Sequence, residues 1–177
     1  MSTTASPFGF VPSYHPSGSA RGNLYTIATG YGTALYKYAP VILDTDGTLT
    51  VGAVNADILG IFAGCEYTDA NGKPNYSPNW PASTTATNIK AYVWSDPGTV
   101  FTVQSSGAIP QTAVGDQADV VNPTTGTAAT GLSSSSLNSS LASAGSQKQF
   151  RILGFDLSPG NAINDAYTVV KVQIARH

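Results

Sequence analysis

Ile58-Leu-Gly-Ile-Phe-Ala-Gly-Cys-Glu-Tyr-Thr-Asp-Ala-Asn-Gly-Lys-Pro-Asn-Tyr-Ser-Pro-Asn-Trp80 passes through three kinds of local chemistry. The first half is a short apolar run with β-branched and aromatic residues, bounded by Gly60 and Gly64, which suits a buried strand better than a helix. Asp69-Ala-Asn-Gly72 follows, and Asn71-Gly72 tolerates the positive φ of a tight hairpin turn. From Pro74 to Pro81 three prolines accompany Tyr76 and Trp80. Proline removes ladder donors, so this last part is predicted to leave the sheet as an ordered loop pinned by its aromatics.

Working outward, short β-prone pieces recur along the chain. Leu24–Thr29, Ala34–Tyr38 and Val41–Leu43 precede an Asp44-Thr-Asp-Gly47 turn, which leads into the alternating Thr48–Val54 as a hairpin. Ile89–Ser95 and Thr99–Gln104 are joined by Asp96-Pro-Gly98, where Pro97 sets φ and Gly98 frees it. Residues 105–130 are turn-rich, with one weak strand around Ala118–Val121. Gly131–Ser146 is serine-rich and reads as a surface loop or a short irregular helix. Phe150–Asp156 and Tyr167–Ala175 close the chain as strong strands. Frequent Gly and Pro turns without a helical period indicate an all-β fold. The expectation is a single antiparallel β-sandwich or barrel over residues 24–177, jelly-roll-like topology included, with strand order left open.

Residues 1–23 combine Pro7, Pro12 and Pro16 with Phe8, Phe10, Val11 and Tyr14. A merely flexible tail has no use for aromatics, so the segment reads as an extended N-terminal arm docked on a surface. Its own domain, a sister subunit and a larger shell are the candidates, and an intermolecular site is the favoured one.

Composition narrows the function classes. At 177 residues the chain fits one domain with a core large enough to need no staple. Charged residues are 10% of the chain, against about 25% in ordinary soluble domains. So little charge fits a subunit whose surface is largely occupied by neighbours. The net charge of −2 comes from scattered residues and offers no footprint for nucleic acid or an anionic membrane. Cys65 stands alone in an apolar run, which excludes an internal disulfide and makes it a small buried hydrophobe. Met-Ser-Thr-Thr-Ala-Ser-Pro7 lacks the basic region and apolar core of a signal peptide, so synthesis in a cytoplasm is expected.

Candidate chemistry is sparse. His15 and His177 sit in the arm and at the last position, and no Ser, His and Asp arrangement is implied. Asp44 and Asp46 resemble the start of a calcium loop, but Gly47 follows at once and no acid closes it. Glu66 with Asp69 could be drawn as a glycosidase carboxylate pair, although acids beside an Asn-Gly turn are usually turn acids. No enzyme, no cofactor and no metal are therefore expected. Tyr67, Tyr76, Trp80, Tyr92 and Trp94 form either a sugar-stacking platform or core and interface anchors, and the second reading is preferred. Tyr76 and Trp80 in particular are expected to be anchored in a core edge or a subunit interface.

With its following Pro81, the opening stretch resembles a family of small head-associated structural proteins of tailed, podovirus-like bacteriophages. Gly64-Cys-Glu-Tyr-Thr68, then Gly72-Lys73, then Ser77 and Trp80-Pro81 carry the likeness. Ala91-Tyr-Val93, Asp96-Pro97, Phe101-Thr-Val-Gln104, Gly131-Leu-Ser133, Arg151-Ile-Leu-Gly154 and the C-terminal His177 follow in the same order. The resemblance implies a viral structural protein, and within that class a capsid decoration or cement protein on the outer surface of the virion head. The implied partners are the major capsid protein and further copies of the chain, as a dimer or trimer at local symmetry axes. Phe8, Phe10, Tyr14, Tyr67, Tyr76 and Trp80 are the interface candidates. The alternative is a carbohydrate- or receptor-binding β-module of the virion.

Overall fold

A computed structural model describes residues 2–143 and 145–177. Two antiparallel sheets form a sandwich, and the three-residue 3-10 turn Gln111–Ala113 is the only helical element among the described residues.

One sheet is built on the longest strands, Gly60–Asp69 and Ala86–Trp94, paired from Ile61 opposite Trp94 to Asp69 opposite Ala86. Asn23–Tyr25 flanks Ala86–Trp94. On the other side, the Pro40–Leu43 and Leu49–Val51 hairpin pairs with the start of Gly60–Asp69. The Asp44–Gly47 turn closes that hairpin as expected, with Gly47 at φ 78°. The second sheet runs Val11–Tyr14, Val100–Gln104, Val169–Ile174, Phe150–Phe155, Gln117–Ala118. Asp96-Pro-Gly98 does not close a hairpin within one sheet. It carries the chain between the sheets, braced where Gly98 N–H donates to Asp96 Oδ1 at 2.8 Å.

Alternation along the strands creates two cores rather than one. Phe101, Val103, Val170, Val172, Ile174, Phe150 and Ile152 point inward from the second sheet and meet Ile58 and Ile61. The next residue, Phe62, faces the opposite way and joins Val41, Cys65, Ala91, Val93 and Trp80 in the second cluster. A short ribbon of Leu35–Tyr36 against Asn79–Trp80 contributes to this second cluster through Leu35 and Trp80, so the long-strand sheet is covered on both faces near its start.

Two sequence expectations require correction. Pro74–Ser77 does not leave the sheet; it folds back from the Asn71-Gly72 turn and pairs Thr68–Cys65 as an edge strand. Proline is tolerated at such an edge because its missing N–H can face away from the ladder. The serine-rich segment is likewise not a surface loop: Ser133, Ser135, Ser136 and Leu137 are buried. The Ser133 and Ser135 hydroxyls satisfy each other at 2.9 Å, and Leu137 pairs opposite Val120. The part of this segment at Ala144 lies outside the described residues.

The arm is also placed differently. Val11–Tyr14 is the edge strand of the second sheet, paired to Val100–Thr102. Phe10 is fully buried and stacks on Phe150 at 4.3 Å between ring centroids. Gly9 is required there: at φ 77° a Cβ would lie 2.7 Å from Tyr38 Cβ. Gln104 clasps the segment from inside, accepting from Ser6 N–H at 2.8 Å and donating to the Thr4 carbonyl at 3.0 Å. Further out, Ser2 N–H donates to the Gly160 carbonyl and Tyr167 N–H to the Ser2 carbonyl. The arm docks on its own domain, because its aromatic fills a core that would otherwise hold a cavity beside Phe150.

Phe10→Ala is accordingly expected to destabilise the fold by about 3–5 kcal/mol, read as a lower midpoint in urea. Removal of residues 1–14 should give an aggregating or unfolded chain, and a truncated protein with unchanged melting would overturn this placement.

Candidate interaction face

Past the start of the long-strand sheet the two sheets no longer cover each other. The break is prepared in the sequence by a bulge between Phe62 and Gly64 and another between Glu66 and Thr68. Gly64 lies at φ 134°, a conformation that L side chains rarely adopt. Between the bulges Cys65 and Tyr67 turn to the second core, which leaves Glu66 on the other face. There Glu66 sits directly between Tyr76 on one neighbouring strand and Lys90 on the other. Tyr92 lies two residues along from Lys90 on the same face, opposite Leu24 of the edge strand.

The resulting open face is aromatic at both ends and charged in the middle. Tyr76 is 82% exposed and Leu24 60%. Lys90 Nζ bonds Glu66 Oε1 at 2.8 Å. The Lys90 ammonium, with the Tyr76 hydroxyl next, holds the Glu66 carboxyl below its ordinary range. Glu66 in turn raises Lys90 and Tyr76, so both keep their protons more firmly. The Tyr76 ring stands as a ridge between two clefts. One, about 170 Å³, includes Thr68, Asn75, Asn88 and Lys90 in its walls. The other, about 310 Å³, runs over Gly64 between Tyr76 and Tyr92. Toward the sandwich, Trp94 continues the Lys90 and Tyr92 side of its strand and stacks with Tyr38 at 6.0 Å.

The candidate residues separate into distinct environments. Phe10 and Trp80 belong to the two cores, so neither is available to a partner. For Trp80 this meets the core option of the expectation and removes it from any sugar platform. Tyr67 is half-buried and meets the Trp80 ring edge-on at 5.2 Å. Phe8 is half-buried in a cleft with Ser2 and Gln104, and Tyr14 is half-exposed near the end of its strand. For Tyr76 the structure removes the core-edge option only: the ring projects, because strand alternation opposite Glu66 sends it to the uncovered face. Lys90 and Leu24 were not singled out in the sequence. The alternation of Lys90, Tyr92 and Trp94 against Ile89, Ala91 and Val93 was the available signal for Lys90.

The acids considered as catalytic have structural occupations. Asp69 accepts the Asn71 and Lys73 N–H groups and the Asn75 amide at 2.9, 3.0 and 3.1 Å, a brace for the Asn-Gly turn. Asp46 accepts both the N–H and hydroxyl of Thr48. His15 pairs Asp96 at 3.1 Å, tying the end of the arm strand to the crossover turn. Among the described residues no group of three His, Cys, Asp or Glu side chains is placed to hold a metal ion. The face therefore offers stacking, hydrogen bonding and a fixed ion pair. Compared with known proteins, the chain matches no family model, no curated protein and no solved structure.

Two outcomes test these assignments. Trp80→Ala should cost about 3–5 kcal/mol, the usual range for deleting a buried Trp or Phe side chain, whereas Tyr76→Ala should change stability by less than about 0.5 kcal/mol, both measured by urea denaturation. Burial pushes the Cys65 thiol up to about 12. Native protein at pH 8 should therefore resist alkylation with iodoacetamide, and unfolding in urea should expose one reactive thiol; rapid native labelling would contradict the buried placement.

Proposed function

We propose that the chain is a non-enzymatic structural protein of a tailed-phage virion, a cement or decoration protein that seats on the outer surface of the major capsid protein shell. The supporting observation is that the stretch bearing the family resemblance builds the open face. Gly60–Asp69, its Asn-Gly turn and the returning Pro74–Ser77 strand place Glu66 and Tyr76 on a rigid sheet surface. A ring 82% exposed and flanked by clefts is a suitable adhesive anchor, since tyrosine supplies contact area at low entropic cost. Copies of the chain at local symmetry axes would repeat this contact over the shell, so modest individual affinity becomes strong retention through avidity. The mechanism needs no cofactor, membrane or nucleic acid. Because the arm is folded into its own domain, the proposed contact is assigned to the open face instead.

A second reading has a specific observation in its favour. Asn75, Asn88, Glu66 and Lys90 surround a solvent-facing tyrosine ring, an arrangement able to stack on and hydrogen-bond a sugar. A carbohydrate-binding virion module would use the same face.

Copy number separates the two, since cement is present in hundreds per particle and a tail module in a dozen or fewer. Purified protein should bind expanded heads, and Tyr76→Ala should lower occupancy at least several-fold without lowering the melting temperature. Because the face carries one internally paired charge pair, occupancy should fall little between low and moderate ionic strength. Release by moderate salt alone, or specific glycan-array binding lost in Tyr76→Ala, would favour the other reading.

A further inference from the structure

A densely hydrogen-bonded polar cluster outside the open face brings together residues 55, 119 and 148. Lys148 Nζ is 2.7 Å from Asp119 Oδ2 and 3.1 Å from Asn55 Oδ1. These residues come from three separate segments, and each is held from elsewhere. Gln149, fully buried, donates through Nε2 to the carbonyls of Ala53 at 2.6 Å and Ala56 at 3.0 Å, pinning the loop on both sides of Asn55. The same side chain accepts from Val120 N–H at 2.9 Å, which locks the residue after Asp119. Lys148 N–H donates to Gln117 Oε1 at 2.9 Å. Asn55 is held at φ 65°, a backbone conformation more open to Asn than to most residues. The Asp119 side chain is only 7% exposed and that of Lys148 34%.

An amine within hydrogen-bond reach of both a carboxamide and a carboxylate brings together the reactants and the proton carrier of an amide exchange. We propose that Lys148 and Asn55 condense to an intramolecular isopeptide bond, with Asp119 carrying the protons. Asp119 takes one proton from the Lys148 ammonium, and the freed amine attacks Asn55 Cγ. A second proton then passes from Nζ through Asp119 to Nδ2. The Nζ–Cγ bond has formed and the Cγ–Nδ2 bond breaks. Nitrogen leaves as ammonium, having gained both protons, and Asp119 returns to carboxylate, so no oxidant, reductant or co-reactant is needed. Exchanging the Asn55 oxygen and nitrogen positions leaves Cγ in place, so the reaction geometry does not depend on that assignment. What favours an otherwise slow reaction is the fixed juxtaposition of the Lys148 amine and the Asn55 carboxamide, which replaces encounter by a preset pairing, with general acid–base help from a buried carboxylate.

The bond would join residues 93 apart in sequence, closing the long-strand sheet's entry loop onto the strand that begins at Phe150. For a particle component that must outlast mechanical load, such a bond makes local opening reversible.

Intact mass spectrometry of the full chain under denaturing conditions is the test, with peptide mapping of the fragments containing Asn55 and Lys148. Wild type should be lighter than its sequence by one ammonia and yield a branched peptide joining these two residues. It should also run faster than the variants on a denaturing gel. Lys148→Arg and Asn55→Gly, the latter chosen because glycine accepts the positive φ, should each show the full mass, and Asp119→Asn should show it wholly or largely. A folded wild type of full mass, judged by a cooperative melt, overturns the proposal. Loss of water instead of ammonia would place the bond on Asp119 and equally overturn the assignment, and complete cross-linking in Asp119→Asn would remove that residue's role.

Discussion

The pairing of Gly60–Asp69 with Ala86–Trp94 is the constraint on which the other elements depend. A strand presents alternate residues to opposite faces, so a slip of one residue would exchange every buried and exposed position. Here Ile61 serves the sandwich core and Phe62 the second core, and each requires its own covering layer. The second sheet supplies one cover and the Leu35–Tyr36 and Asn79–Trp80 ribbon contributes to the other. The two bulges then reset the alternation, which is how one strand can be buried on both faces at its start and open on one face at its end.

Much of this was legible because it rests on local chemistry. Asp44–Gly47 and Asn71-Gly72 turn where their side chains and φ preferences require, and Phe150–Phe155 and Val169–Ile174 carry alternation dense enough to mark them as strands. What stayed illegible depends on partners distant in sequence. Nothing in Pro74–Ser77 announces pairing with Thr68–Cys65, because proline argues against a central strand and is silent about an edge. Serines at 133–136 read as solvated because polarity is judged residue by residue, whereas Ser133 and Ser135 satisfy each other once buried. The fate of Tyr76 follows from a register, Tyr76 opposite Glu66, that composition does not contain.

The arm shows how the same residues support opposite conclusions until the packing is known. Phe8, Phe10 and Tyr14 among prolines do indicate docking, and the segment does dock. The direction is inward, because Phe150 leaves a place for a second ring and the Val100–Gln104 strand has a free edge to be capped. Capping that edge has a further effect. An unpaired strand is a template for aggregation, and covering it with Val11–Tyr14 moves the exposed edge to a short segment interrupted by Pro12 and bulged between Pro12 and Tyr14.

The same logic bears on how the open face could engage a partner. One side of its sheet ends in Pro74–Ser77, where Pro74 and the Pro78 that follows the strand lack the N–H groups that an added strand would need. The other side ends in Asn23–Tyr25, only three residues long. Both edges are poor sites for strand addition, so backbone pairing with a neighbour is disfavoured at this end of the molecule. Contact must instead run through side chains standing off the sheet, with Tyr76, Tyr92 and Leu24 around the Glu66–Lys90 pair. Such a contact would draw specificity from ring placement and from the two clefts beside Tyr76, and, on the proposed cement reading, its strength from repetition across many copies.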